Sequence, residues 1–311
     1  MALPLTWTMR ALPTALQRNW SGVTFANGLF VAAASTGQVM FSPDGVNWTQ
    51  ASTAGIAGST WNGIAYDGTR FIIVGTQRVA YSTNATSWTV VSSSPSSLNL
   101  NCVIYGGSTF VAGSVNNVLY TSPDLITWTM GMSTVINGRN WSGLAYYGGV
   151  FVACAPNWGA FSYSTNGGVT WAAVIYPSNA PNCVSVAYGA GLFVAVGTAA
   201  SGSLTVSTSP DGATWTNRTG AGGSRQWTGV AYDGSSLFVA VCNNASGNAT
   251  MTSPNGINWT INTAGTTGNA TVWNALTYGN GRWVAVGNGV NVMTADYTPP
   301  PLSQGRTIIM P

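Results

Sequence analysis

Residues 42–49, Ser-Pro-Asp-Gly-Val-Asn-Trp-Thr, contain the pattern that decides the fold of this 311-residue chain. Pro presets φ for a turn, Asp hydrogen-bonds nearby backbone, Gly accepts a positive φ, and Trp-Thr is typical of a β-strand. Trp recurs in this register at intervals of 41, 40, 40, 43, 44 and 44 residues. The seven positions are Trp7, Trp48, Trp88, Trp128, Trp171, Trp215 and Trp259.

A second series of alternating runs lies in the same register. Each run ends on an aromatic residue, and a Gly-containing turn and an apolar run such as residues 29–33 follow it. Each repeat therefore predicts four short antiparallel strands, which we letter A (ending on the aromatic residue), B (apolar), C (before the Ser-Pro-Asp-Gly turn) and D (Trp-Thr). The aromatic residues are Phe25, Tyr66, Tyr105, Tyr146, Tyr188, Tyr232 and Tyr278.

Four-stranded units that repeat every 40–45 residues are typical of a β-propeller. We predict an all-β fold, a seven-bladed β-propeller of four-stranded antiparallel blades, over residues 1–298. The last repeat has no D strand of its own, and residues 5–8 are predicted to supply it, so that the N-terminal strand closes the last blade. Residues 299–311 form a Pro-rich C-terminal tail, whose prolines favour an extended spacer.

The charged residues are few and of only two kinds. All nine basic residues are Arg, all six acidic residues are Asp, and the chain has no Lys, Glu or His. Acid–base catalysis and zinc binding draw mainly on the missing types, and the four Cys are spread singly through apolar runs. We therefore expect no cofactor, no metal site and no enzymatic activity.

The charge and hydropathy patterns also bear on partners. No run approaches 18 apolar residues, so membrane insertion is not expected. The net charge of +3 is slight and no basic cluster follows a strand, so nucleic acid is not an expected partner. The N-terminal residues lack the charged and apolar regions of a secretory signal.

The motif Ser-x-Asp-x-x-x-Trp, with Gly beside the Asp, resembles the Asp-box (BNR) repeat of sialidase-like propellers over nearly the whole chain. The resemblance implies that the motif forms the hairpin between the third and fourth strands of each blade. Sialidases of this kind use an Arg triad with an acid, a Tyr and its Glu partner, and a chain without Glu cannot inherit those roles. In style, the Lys-free chain rich in Asn, Thr and Gly is also similar to propeller proteins of tailed-bacteriophage virions.

Two aromatic residues, Trp158 and Tyr176, fall outside the repeat register. With Arg139 and Asn157 they are predicted to cluster around blade 4 as a contact for a glycan or a protein. An exposed aromatic ring beside amide and guanidinium donors suits a sugar, which stacks through its apolar face and hydrogen-bonds through its hydroxyls. The alternative is that Trp158 caps a loop.

The arginines are predicted to make one end of the propeller basic, because most fall in the connections from D to A or from B to C, whereas all six Asp fall at the other end. The alternative is that polar loops accept any charge. The candidates for this basic face, besides Arg139, are Arg10, Arg18, Arg78, Arg218 and Arg225.

These observations favour a virion surface or structural protein, a tail or capsid decoration propeller that binds host-surface glycans or neighbouring virion proteins. A stand-alone multivalent bacterial lectin, extracellular or cytoplasmic, is the alternative, and a degenerate glycosidase using Asp pairs comes third. A bacterial or viral origin also fits the nine Asn-x-Ser/Thr sequons, since several lie beside a core Trp, where glycosylation would disrupt packing.

Overall fold

The chain folds into seven four-stranded antiparallel blades around one axis, which confirms the predicted architecture. Besides the strands, the described residues include one short 3-10 helix, Thr14–Leu16. No helix in the part of the chain described is long and apolar enough to cross a membrane. The computed structural model describes residues 5–91, 98–115, 118–133, 140–156, 160–173, 179–199, 202–243, 250–262 and 272–300.

The first four blades follow one another along the chain, each with strand A nearest the axis and strand D at the rim. Blade 1 consists of β2 Arg18–Ala26, β3 Leu29–Ala34, β4 Val39–Ser42 and β5 Thr49–Gln50. Blade 2 consists of β6 Trp61–Tyr66, β7 Phe71–Gly75, β8 Arg78–Ser82 and β9 Thr89–Val90. Blade 3 consists of β10 Leu100–Gly106, β11 Thr109–Ser114, β12 Leu119–Ser122 and β13 Thr129–Met130. Blade 4 consists of β15 Gly143–Tyr147, β16 Val150–Ala155, β17 Ala160–Ser164 and β18 Thr170–Ala173, with the two-residue β14 Met132–Ser133 added parallel to β18.

The remaining three blades repeat this order, except that the last takes its D strand from the start of the chain. Blade 5 consists of β19 Asn182–Gly189, β20 Leu192–Thr198, β21 Leu204–Ser209 and β22 Thr216–Thr219. Blade 6 consists of β23 Trp227–Tyr232, β24 Phe238–Cys242, β25 Thr250–Ser253 and β26 Thr260–Asn262. Blade 7 consists of β27 Trp273–Gly279, β28 Arg282–Gly289, β29 Asn291–Asp296 and β1 Thr8–Ala11.

The N-terminal strand closes blade 7 as predicted, but it begins later than predicted. β1 covers Thr8–Ala11 rather than residues 5–8, and Thr8 lies opposite Thr294 of β29. In most blades the D strand likewise begins at the Thr after the Trp, because the Trp belongs to the preceding turn. Asn262 of blade 6 donates from Nδ2 to the Leu5 carbonyl at 2.7 Å, which holds the segment before β1 in place.

The hydrophobic core is divided among the blade junctions. Seven clusters of buried side chains occur, and each combines residues of two neighbouring blades. Between blades 1 and 2, for example, Val31 and Ala33 pack against Trp61 and Phe71. Of the thirteen tryptophans in the repeat register, eleven are buried and the other two, Trp128 and Trp259, are partly buried.

The turns between strands C and D share one hydrogen-bond pattern. In blade 1 the Ser42 hydroxyl accepts the Gly45 N–H at 2.8 Å, and Oδ1 of Asp44 accepts the N–H groups of Val46 and Asn47, both at 2.8 Å. The indole N–H of Trp48 donates back to the Gly45 carbonyl at 3.1 Å. The indole bond recurs in blades 2 to 6, so the turn and its Trp form one unit.

Asp296 departs from this pattern. The sequence register places it at the position of Asp44, yet it is the last residue of β29, and its carboxylate pairs with the Arg282 guanidinium at 2.6 Å. The other five Asp are turn residues whose side chains accept backbone N–H groups, because a carboxylate two residues before a free N–H satisfies it locally. These are Asp44, Asp67, Asp124, Asp211 and Asp233.

The turn hydrogen bonds lower the pKa of several carboxyl groups. For Asp44, burial raises the pKa, but the N–H groups of Asn47 and Val46 lower it by more, so that the net pKa lies well below its ordinary value. The N–H groups of Thr127 and Ile126 likewise lower the pKa of Asp124. For Asp211, the N–H of Thr214 is the main cause of a lowered pKa. The ionised form therefore fits the folded turns best.

A carboxyl group whose pKa is lower in the folded state stabilises the fold above its unfolded pKa, about 3.9 for Asp, and loses that contribution as the pH falls through the folded pKa. We expect the triple variant Asp44→Asn, Asp124→Asn, Asp211→Asn to lose less free energy of unfolding than the wild type between about pH 6 and about pH 2. Urea unfolding at several pH values measures this difference.

Asn at positions 84, 166 and 255 shows that an amide fits the same turn. The reverse change, Asn84→Asp, is the control and should make unfolding more sensitive to acid. Identical pH profiles for all three proteins would contradict a stabilising role of the ionised turns.

Candidate functional site

The seven A strands enclose a cavity of about 260 Å³ on the propeller axis, which we call the axial pocket. Three consecutive residues of each A strand line it, close to the end where these strands begin. The first of the three follows the Trp position and forms what we call the axial ring. The axial ring consists of Ser21, Asn62, Asn101, Ser142, Val184, Thr228 and Asn274.

Local irregularity in the A strands places these side chains. In six blades the A–B register shifts by one residue at the axial ring; in blade 1 the shift lies between Trp20 and Gly22. Such a bulge leaves its residue outside the ladder and redirects its side chain. The next position in the pocket is small in every blade, since it holds Gly, Ala, Ser or Cys, and this leaves room at the axis.

The polar side chains of the axial ring tie neighbouring blades together. Ser21 donates from Oγ to the Trp61 carbonyl of blade 2 at 2.6 Å, and Asn62 donates from Nδ2 to the Leu100 carbonyl of blade 3 at 3.0 Å. Asn101 continues the series to the Trp141 carbonyl of blade 4 at 3.0 Å.

The same links join blades 6, 7 and 1. Thr228 donates from Oγ1 to the Trp273 carbonyl at 2.5 Å, and Asn274 donates from Nδ2 to the Trp20 carbonyl at 2.8 Å. Five of the seven junctions therefore carry a hydrogen bond from an axial-ring side chain to the next blade.

The junction between blades 4 and 5 differs from these. The Ser142 hydroxyl is buried and has no hydrogen-bond partner in the described part of the chain. Cys183 stands where most blades have the A-strand Trp. Two stacked aromatic pairs join the blades instead: Phe161 with Trp215, at 3.8 Å between ring centroids, and Tyr147 with Tyr188, at 3.7 Å.

Between blades 5 and 6 the axial-ring residue is Val184, which cannot donate a hydrogen bond. Here the adjacent Ser185 makes the link, since its Oγ accepts the Val230 N–H of blade 6 at 3.2 Å. Ser142 is therefore the only axial-ring residue of the described chain that presents a buried polar group without a partner.

The axial pocket is electrically neutral. No Arg or Asp is among the described residues that line it, and burial raises the pKa of the Cys102 thiol to about 12, so that this thiol is not ionised near neutral pH. In the described ranges no three His, Cys, Asp or Glu side chains are grouped so that they could hold a metal ion. The pocket thus offers hydroxyl, amide and backbone groups over an apolar base, which suits neutral hydrogen-bonding ligands.

The four residues of the predicted glycan contact, Arg139, Asn157, Trp158 and Tyr176, lie outside the described residues. Of the basic-face candidates, Arg18, Arg78 and Arg225 stand at or next to the start of an A or C strand, and these starts share one end of the propeller. Arg78 donates to the Gly55 carbonyl at 3.2 Å.

The predicted placement of Arg10 and Arg218 in D–A connections is wrong. Both lie within D strands, β1 and β22, three residues after the Trp of the preceding turn. The cause is the shifted start of these strands. Each Nε bonds a Thr of the neighbouring C strand: Arg10 bonds Thr294 at 3.3 Å and Arg218 bonds Thr208 at 3.2 Å. The two residues therefore lie within the outermost strands, at the rim of the propeller, and not in the connections that were predicted to form the basic face.

Sequence reasoning missed the axial ring, although a signal for it exists. The residue after the A-strand Trp position is Ser, Asn or Thr in six of the seven repeats. An alternating strand alone does not explain a polar residue at this one register.

No protein-family model and no curated protein matches the sequence. Solved structures do match it. One similar structure is a catalytically inactive histidine-to-alanine variant of virginiamycin B lyase from Staphylococcus aureus with quinupristin. It matches with a TM-score of 0.78 at 9% sequence identity, and the alignment covers 94% of this chain and 100% of the lyase chain. YCF48 from Cyanidioschyzon merolae matches with a TM-score of 0.71 at 13% sequence identity, and the alignment covers 94% of this chain and 98% of the YCF48 chain. YCF48 bound to D1 peptide matches with a TM-score of 0.73 at 14% sequence identity, and the alignment covers 96% of this chain and 98% of the YCF48 chain.

The chain has the β-propeller fold. At these identities the matches show the fold alone, because one fold carries many functions. They nevertheless contradict our prediction that the chain is not an enzyme, since virginiamycin B lyase is an enzyme with this fold. The absence of Lys, Glu and His excludes particular catalytic arrangements, and it was wrong to extend that exclusion to every activity.

The axial ring generates a stability prediction. We expect Asn62→Val to lower the free energy of unfolding by about 1–3 kcal/mol, because the buried Leu100 carbonyl loses its donor. Thermal and urea unfolding measure the change.

Val184→Asn is the matched opposite change, since it offers an amide where blade 5 has none. We expect it to be neutral or stabilising by up to about 1 kcal/mol. Equal losses of free energy of unfolding in both variants would mean that the axial-ring position tolerates no substitution. The stability change would then not come from the hydrogen bonds of the axial ring.

Proposed function

We propose that this chain is an Asp-box propeller of a virion surface and that it binds a neutral glycan in the axial pocket. The observation that carries the proposal is Ser142, a residue that lines a neutral pocket and whose buried hydroxyl has no partner among the described residues. Rotation about χ1 to another staggered rotamer would offer this hydroxyl to a ligand. A buried polar group without a partner costs free energy, and a ligand that completes its hydrogen bond recovers that cost.

The chemistry of the pocket supports a sugar as the ligand. The cavity volume of about 260 Å³ is many times the volume that one water molecule needs, so it leaves space for a single sugar ring. Asn62 and Asn101 each donate to the next blade from Nδ2, and Oδ1 of each accepts no hydrogen bond in the described chain, so it is available to a ligand. Sugar hydroxyls donate and accept, so they match such a mixed lining.

The turns support the Asp-box assignment. Six C–D turns place a Ser hydroxyl, an Asp or Asn side chain and a Trp indole in the same local pattern, and the acidic position of the motif holds only Asp or Asn in these six. The virion setting is supported by the composition, with no Lys and many Asn, Thr and Gly residues. By sequence, Arg139 precedes Ser142 by three residues, so the predicted contact and the axial ring belong to the same blade.

A second candidate ligand is a peptide segment. The similar structure of YCF48 bound to D1 peptide favours it, since that protein is a propeller that binds a peptide. A neutral pocket with hydroxyl and amide groups also suits peptide N–H and carbonyl groups.

We expect Ser142→Ala to weaken glycan binding by about ten-fold, the effect of one hydrogen bond, without lowering the melting temperature. The melting temperature should hold because the variant removes a buried group that has no partner to lose. A glycan array identifies the ligand, and calorimetry with that ligand measures its affinity.

Thr205→Val is the matched control, because Thr205 also has a buried hydroxyl without a described partner but does not line the axial pocket. It should leave glycan binding unchanged. Equal effects of both variants, or glycan binding that titrates between about pH 5 and about pH 8, would contradict a ligand in this neutral pocket.

We also expect capsid or tail genes beside the coding sequence, and the protein among the components of purified virions. Genome sequencing and mass spectrometry of the particles test this. An isolated gene in a bacterial chromosome, together with glycan binding, would indicate the alternative, a stand-alone lectin.

A further inference from the structure

A second cavity lies between blades 2 and 3, away from the axis. Its volume is about 250 Å³, and we call it the lateral cleft. Blade 2 contributes residues before β7, in β8 and around β9, and blade 3 contributes its C–D turn. The lining residues are Arg70, Tyr81, Thr89, Val90, Val91, Asp124 and Ile126.

An unusual turn residue accompanies the lateral cleft. Where most C–D turns have Gly, blade 3 has Leu125, with φ at 72° and its side chain buried. In blades 1 and 5 a Cβ at this position would come within 2.6 or 2.7 Å of a Val in the preceding blade. A Leu at this position therefore requires a wider junction, and the lateral cleft lies directly beside it, because Asp124 and Ile126 flank Leu125.

The lateral cleft brings together a cation and an anion that do not pair. Arg70 donates from Nε to Asp67 at 2.8 Å and lies over the Tyr81 ring, with 5.3 Å to its centroid, whereas its two terminal nitrogens have no acceptor in the described chain. Asp124 accepts three hydrogen bonds within its own turn at Oδ1, and the Thr127 hydroxyl also bonds its carboxylate. A carboxylate has about four lone-pair sites, so it can still accept from a ligand hydroxyl.

At the junction of blades 7 and 1, the arginine equivalent to Arg70 already has hydrogen-bond acceptors within the chain. Arg282 precedes its B-strand aromatic residue as Arg70 does, and Asp44 occupies the turn position of Asp124. There the Arg282 guanidinium bonds both the Asp296 carboxylate and the Asp44 carbonyl. The free donors of Arg70 are therefore a property of this cleft and not of the repeat.

We propose that the lateral cleft is a second binding site, which takes a neutral sugar ring through two adjacent hydroxyls. One hydroxyl of such a pair can accept from a terminal nitrogen of Arg70, and the other can donate to the Asp124 carboxylate. The charge of Arg70 is already paired with Asp67, and Asp124 would repel a carboxylate. Ile126, half-exposed, and Val90 give the apolar face of the ring a surface to pack on. This second site rests on the proposed glycan binding by the chain. Binding in the lateral cleft and binding in the axial pocket are nevertheless tested by separate variants.

Saturation-transfer NMR with methyl hexosides tests the proposal, together with the smallest matched pair of probes, cis-1,2-cyclohexanediol and cyclohexanol. We expect transfer to the hexosides and to the diol but not to cyclohexanol. Arg70→Gln and Asp124→Asn should each weaken diol binding by about ten-fold, since each removes a hydrogen bond to a charged group. Asp124→Asn should fold, because Asn occupies the same position in three other turns.

Arg282→Gln and Asp44→Asn are the matched controls and should leave diol binding unchanged. Ser142→Ala separates the two sites: it should leave diol binding in the lateral cleft intact even if it abolishes binding in the axial pocket. Diol binding that survives both Arg70→Gln and Asp124→Asn would overturn the proposal. Equal binding of cyclohexanol, or stronger binding of acetate or glycine, would overturn the proposed ligand class.

Discussion

Neighbouring blades share their buried side chains at every junction, and each of the seven hydrophobic clusters needs residues from two blades. A four-stranded sheet is apolar on both faces here, so one blade alone would expose most of what it must bury. Burial is complete only when the ring closes. With two ion pairs between side chains in the described chain, apolar packing has little electrostatic support. The pairing of β1 with β29 is therefore a condition for the whole core and not a detail of blade 7.

Hydrogen bonds then give this packing its register. Apolar contact is not directional, so it leaves blades free to slide, whereas a side-chain bond to one particular carbonyl does not. The axial ring supplies such bonds at five junctions, and Ser185 supplies one between blades 5 and 6. Between blades 4 and 5, two stacked aromatic pairs replace them. At this same junction the Ser142 hydroxyl has no partner in the described part of the chain, so the irregular junction and the candidate site coincide.

The number of blades, the strand order and the closing strand could be predicted from the sequence, because turn residues and Trp report on structure within a few residues of themselves. The start of the D strands could not, because the bond from the Trp48 indole to the Gly45 carbonyl places the Trp in the turn. The axial ring and the lateral cleft depend on contacts between repeats. Asn62 meets the Leu100 carbonyl 38 residues away, and no local pattern specifies that meeting. The polar residue after the A-strand Trp position was the only sign of the axial ring in the sequence. Its role as a link between blades could be recognised only from the structure.

The closing pair of strands also determines how the molecule would respond to a mechanical load. β1 and β29 are antiparallel, and the chain enters β1 at Thr8 on the same side where it leaves β29 near Thr294. Force that separates these two points acts along the hydrogen bonds, which lie perpendicular to the strands, and breaks them one after another. A pair loaded along its strands would instead resist with all its bonds at once. Once Leu5 and Trp7 have left the core, tension between Thr8 and Thr294 would therefore open the ring at blade 7 one hydrogen bond at a time.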